Sequence, residues 1–107
     1  MRKAAVFVNG RYAGLLCEND DRNYEFRYSS KYIADADTEP ISVRLPKNRG
    51  TFRSDRLFPF FFSLLSEGDN RKAQCQALKI DENDYFGLLL ATASHDTIGN
   101  VTIQEIK

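Results

Sequence analysis

PISVRLPKNRGTFRSDRLFPFFFSLLSEG, residues Pro40–Gly68, holds both a change of hydrophobic period and the densest aromatic cluster of the chain. Its first residues alternate, with Ile41, Val43 and Leu45 on one side. That pattern predicts a strand over 41–45, ended by Pro46, whose ring fixes φ and removes a backbone donor. A basic, glycine-containing loop follows, Lys47-Asn48-Arg49-Gly50, and Ser54-Asp55 stands where a helix would be capped. From there the period lengthens. Leu57, Phe61, Leu64 and Leu65 form one helical face, Pro59 fits a first turn, and Gly68 suits the position after the last turn. Phe58, Phe60, Phe61 and Phe62 crowd around Pro59. Three of these are consecutive, so on a helix they point about 100° apart and at least one ring must lie near the surface. Clustered aromatics at a surface suggest a partner.

Upstream, residues 3–8 and 12–17 flank Asn9-Gly10-Arg11. Asn-Gly tolerates positive φ in a tight turn, so this reads as a β-hairpin. Tyr24, Phe26 and Tyr28 alternate with Glu25 and Arg27, the period of a half-buried strand, after a polar loop over 18–23. Ser29 to Glu39 carries a weak helical turn and then acidic loop. Downstream, Asp69-Asn70 caps a predicted helix over 70–79 with Ala73, Ala77 and Leu78 inward. Asp81 or Asn83 caps another over 84–92, through Tyr85, Leu88, Leu89 and Ala91. A loop over 94–100 leads to Val101, Ile103 and Ile106, a last strand that returns to the sheet. The predicted class is α+β, one domain over 1–107: a small curled antiparallel sheet or barrel of about five strands with about three short helices.

The 107 residues carry 15 basic and 15 acidic side chains, so no net field draws the chain to nucleic acid or to an anionic membrane. No apolar run approaches the roughly 20 residues that span a bilayer, and the stretch after Met1-Arg2-Lys3 is too short for a signal-peptide core. Cys17 and Cys75, without CxxC spacing, read as reduced, semi-buried thiols of a cytoplasmic protein. Catalytic signals are weak. His95 is the single histidine; Ser94, His95 and Asp96 are adjacent, which is poor geometry for a triad, and no GxSxG elbow exists. The carboxylate groups at 20–21, 35–39 and 81–84 lack the glycine and closing glutamate of an EF-hand, and no phosphate-binding glycine loop is present. No cofactor or metal is therefore expected, nor enzymatic activity. Arg44, Lys47, Arg49, Arg53 and Arg56 cluster beside the phenylalanines. A solvated or partner-facing charged face is favoured over direct nucleic-acid binding, because the rings follow a helical spacing and not a strand's.

Several pieces together, YEFRY at 24–28, PISVRLP at 40–46, FPFFFSLLSEG at 58–68 and IGNVTI at 98–103, resemble the N-terminal subdomain of HipA-type serine/threonine kinases over about residues 3–105. The family's Gly-Arg-Asp-x-x-Gly-Ala-Val pattern survives at Asp96, Gly99 and Val101 but not at its first glycine, arginine or alanine, and Ser66 stands where the family has a proline. Such kinases continue with ATP-binding and catalytic motifs that are absent from this sequence. The resemblance therefore implies a free-standing, HipS-like antitoxin of a split HipBST-type toxin–antitoxin system. Its partner would be a separately encoded HipA-like (HipT-like) kinase, with a helix-turn-helix regulator reached through that complex. It also implies that an aromatic of the 58–65 segment, Phe61 or Phe62, projects toward the partner. The expected contact residues are Phe58, Phe60, Phe61, Phe62, Arg49 and Arg53. A subunit that completes the kinase is the alternative.

Overall fold

A computed structural model describes residues 1–93 and 100–106. Five strands form one antiparallel sheet: β1 (Arg2–Val8), β2 (Arg11–Glu18), β3 (Tyr24–Tyr28), β4 (Thr51–Ser54) and β5 (Val101–Ile106). Their spatial order is β4-β3-β2-β1-β5, so β4 and β5 are edges and the sheet is open, not a closed barrel. Among the described residues four helices accompany it, α1 (Ser30–Ala34), α2 (Pro59–Phe62), α3 (Gly68–Leu78) and α4 (Tyr85–Thr92), with a 3-10 turn at Lys47–Arg49. The α+β class holds.

The β1–β2 hairpin forms as its turn chemistry requires, with Asn9 at φ 52° and Gly10 at φ 81° between Val8 and its partner Arg11. A register shift between Val6 and Phe7 bends the pair. Gly14 lies opposite Tyr28, and a Cβ there would meet the Arg27 carbonyl at 2.3 Å and the Phe26 ring at 2.9 Å. Its lack of a side chain lets β3 and the Phe26 ring close over β2. One face of the sheet is the core face. It carries Ala4, Val6, Leu16, Phe26, Phe52 and Ile103, all buried, paired across strands as Leu16↔Phe26, Phe26↔Phe52 and Val6↔Ile103. Phe61 of α2 and Phe86, Leu88 and Leu89 of α4, each fully buried, cover that face.

Several expectations are corrected. Residues 41–45 form no strand: a single bridge joins Ser42 to Leu45, and Val43 is 94% exposed. Prolines on both sides deny the segment a ladder, and its backbone is satisfied by Tyr28 instead. The Tyr28 hydroxyl accepts from Ile41 N–H at 3.0 Å and donates to the Leu45 carbonyl. Burial pushes the Tyr28 phenol up to about 12, although the hydrogen bond it accepts from Ile41 N–H acts in the opposite direction. The fourth strand is instead Thr51–Ser54, within the segment expected to be loop.

The helix expected from Ser54 to Gly68 is reduced to Pro59–Phe62. Phe58, placed before proline, is held extended at φ −57° and ψ 138°, so no helix runs through it. Gly68 opens α3 and does not close α2. Within α3 only Cys75 is buried, while Ala73, Ala77 and Leu78 are exposed, contrary to the expected inward face. In α4 the cap is Asp84, which accepts from Gly87 N–H at 3.1 Å, and Ala91 is exposed. Cys17 and Cys75 are free thiols, and both are more deeply buried than expected. Burial pushes the Cys17 thiol up. Ser94, His95 and Asp96 lie outside the described residues, as do Ile98 and Gly99 of the family-like pattern. No helix among the described residues is long and apolar enough to cross a membrane.

Candidate functional site

The aromatic cluster is arranged by a very short helix. Pro59 starts α2 at its first position, Phe62 N–H bonds to the Phe58 carbonyl at 3.0 Å, and the chain then tightens through Leu64 to Phe61 and Leu65 to Phe62. The consecutive rings separate as the helical angle demands. Phe61 is fully buried, with its centroid 5.5 Å from Phe26, 6.2 Å from Phe58 and 5.3 Å from Phe60. Phe58 is buried beside it, and Phe60 is half-buried.

Phe62 is the ring that reaches the surface, 38% exposed. It stands edge-on to Tyr85 of α4, with centroids 5.1 Å apart and planes at 86°. The Arg71 guanidinium of α3 lies 5.4 Å from the Phe62 centroid and 5.7 Å from that of Tyr85. Contacts of this kind are worth about 0.5–1 kcal/mol each at exposed sites, enough to restrict a side chain without burying it. The sequence left Phe61 and Phe62 as alternatives for the projecting ring, assigned Tyr85 to the core and gave Arg71 no role. Neither is marked by local pattern, because their meeting depends on how three helices pack.

The basic cluster divides in two. Arg44, Arg49 and Arg53 line a groove of about 610 Å³ between the Ser42–Leu45 turn, the β4 edge and the start of α2, whose apolar surface includes Val43, Phe58 and Phe60. Lys47 turns the other way. Its Nζ donates to the carbonyls of Asp35 and Thr38 and to Thr38 Oγ1 at 2.7–2.9 Å, tying the 3-10 turn to the loop after α1. Arg56 is exposed and does not line the groove. The Arg49 guanidinium sits 5.3 Å from the Phe52 ring, and Arg53 Nε lies 3.5 Å from Glu25 Oε1, a loose pair between an exposed arginine and a mostly buried carboxylate.

A second depression, of about 650 Å³, is built around Arg2. Its guanidinium bonds Glu18 Oε1 at 2.8 Å and both Asp84 oxygens at 2.7 and 3.1 Å, and lies 5.2 Å from the Phe86 ring. Tyr24 Oη donates to Glu18 Oε2 at 3.2 Å. The hydrogen bonds from Arg2 hold the Asp84 carboxyl below its ordinary range, and burial pushes the Tyr24 phenol up. These groups satisfy one another and join the N-terminus of β1 to the cap of α4. No group of three or more His, Cys, Asp and Glu side chains able to hold a metal ion occurs among the described residues.

Known proteins share this framework. The HipA N-terminal domain family matches residues 4–104. An uncharacterized protein of Haemophilus influenzae is 37% identical over 107 residues, which cover all of this chain and 95% of that protein. A Sinorhizobium fredii protein named "Putative kinase Y4mE" is 33% identical over 89 residues, 83% of this chain but 21% of the relative, so the chain spans about a fifth of that protein's length. Among solved structures, one described as the N-terminal domain of HipA toxin superposes with a TM-score of 0.75 at 32% identity, covering all of this chain and 94% of that one. With the sheet and the helices in the same arrangement, the chain belongs to the HipA N-terminal domain family.

Proposed function

We propose that this chain is a non-catalytic docking module, an antitoxin of the HipS kind that binds a separately encoded HipA-like serine/threonine kinase in the cytoplasm and restrains it. The observation that carries the reading is Phe62, a large ring kept at the surface and steadied by Tyr85 and Arg71. An aromatic already fixed before contact loses little conformational freedom on binding, which is the property of an interface anchor. Phe60 and Phe62, with Arg49 and Arg53, form the contact surface; Phe61, itself against Phe58, backs the Phe60 ring. The distribution of the domain agrees: it makes up nearly all of one relative and about a fifth of one named as a kinase. A helix-turn-helix regulator would be reached through the kinase.

Co-expression with the proposed HipA-like kinase partner tests the reading. Growth is restored by the wild-type chain and not by Phe62→Ala, although both fold. The presence of the domain within Y4mE favours one second reading, a subunit that completes the kinase; in that case co-expression deepens growth arrest.

A further inference from the structure

β4 is an edge strand, and its register shows which backbone groups are free. Tyr28 N–H bonds to the Gly50 carbonyl at 2.8 Å, which places the Tyr28/Gly50 pair in the hydrogen-bonded class of the antiparallel ladder. By alternation Phe26↔Phe52 and Tyr24↔Ser54 are also hydrogen-bonded pairs, and the N–H and C=O groups of Thr51 and Arg53 turn away from β3. Among the described residues, no strand lies on that side.

The groove occupies this open side, and its charge is one-sided. Arg44, Arg49 and Arg53 line it and, among the described residues, no carboxylate does, in a chain whose charges sum to zero. Glu25, loosely paired with Arg53, is not part of the lining. Val43, almost wholly exposed, and Phe60 supply apolar surface next to these cations. Free strand-edge groups, neighbouring apolar surface and unbalanced positive charge together select one kind of occupant.

We infer that the β4 edge takes an extended acidic segment of the partner kinase as a sixth strand. Its backbone pairs with Thr51 and Arg53, alternate carboxylates face Arg44 and Arg49, and the intervening apolar side chains rest on Val43 and Phe60. This inference rests on the docking reading above for the identity of the partner, but not for the chemistry of the groove.

Amide hydrogen exchange followed by NMR on the free protein tests it, with a synthetic hexapeptide alternating aspartate and valine as probe. At a peptide concentration ten times its Kd, exchange at Thr51 and Arg53 slows about tenfold, while the rest of the sheet is unchanged. The same peptide with lysine for aspartate has no effect, and Arg49→Glu, an exposed change that leaves the fold intact, abolishes the protection. No protection at millimolar peptide, or equal protection by the lysine peptide, overturns the inference. Protection by a DNA duplex and not by the aspartate peptide also overturns it, and makes the groove a nucleic-acid site. A second arm uses the complex with the kinase-like protein. If the complex forms and Thr51 and Arg53 exchange as in the free chain, the sixth strand is refuted and the docking reading stands. If no complex forms but the peptide protects, the docking reading is refuted and the groove's specificity stands.

Discussion

Two depressions of nearly equal size, about 650 and about 610 Å³, sit on this small domain, and both are built around arginine. In the first, Arg2 is held by two carboxylates and an aromatic face. Arg2 and Asp84 there join β1 to α4. In the second, Arg44, Arg49 and Arg53 face a partly apolar groove with no carboxylate in its lining among the described residues. The comparison teaches that an arginine's role is read from what already neutralises it. The first cluster stabilises the fold; the second is available to something else.

The comparison breaks most visibly by removing its structural arginine. Arg2→Met leaves Asp84 and Glu18 without their shared partner and lowers stability by about 2 kcal/mol, a figure reduced from that of a fully buried pair because the side chain is 35% exposed. Urea denaturation measures it. A smaller effect follows from the Asp84 carboxyl, whose folded pKa is depressed. Its contribution is fully present above the ordinary carboxylate pKa near 4 and is lost as pH falls through the lower folded value. Asp84→Asn should therefore cost stability at pH 6 and flatten the acid limb of the denaturation curve below about pH 4. The smallest effect belongs to the groove: Arg44→Glu with Arg49→Glu should change stability by less than about 0.5 kcal/mol. A loss comparable to that of Arg2→Met would erase the distinction between the two depressions.

Local chemistry was readable from the sequence; long-range substitution of one partner for another was not. Asn9-Gly10 places the hairpin because the turn needs only its own two residues, and the alternation of Tyr24, Phe26 and Tyr28 marks β3 because each odd position is out of the core. Ile41, Val43 and Leu45 show the same alternation, yet the Tyr28 hydroxyl, well upstream in sequence, takes the backbone groups that a strand would have used. β4 escaped notice because an edge strand of four residues needs only one inward side chain, Phe52. The site was half legible. The spacing of Phe60, Phe61 and Phe62 required an exposed ring, and Phe62 is that ring. Its steadying by Arg71 and Tyr85 depended on the docking of α3 and α4, and the separation of Lys47 from Arg49 on the fold of the loop after α1.

The central claim is that an exposed, steadied phenylalanine anchors this domain to a kinase-like partner. Titration calorimetry of the purified chain with the proposed HipA-like kinase partner tests this most directly, with Phe62→Ala as the comparison. The account predicts a one-to-one complex weakened about thirtyfold by the substitution, equivalent to about 2 kcal/mol, with the variant's unfolding transition nearly unchanged. No binding by the wild-type chain, or equal affinity of the two proteins, would contradict it.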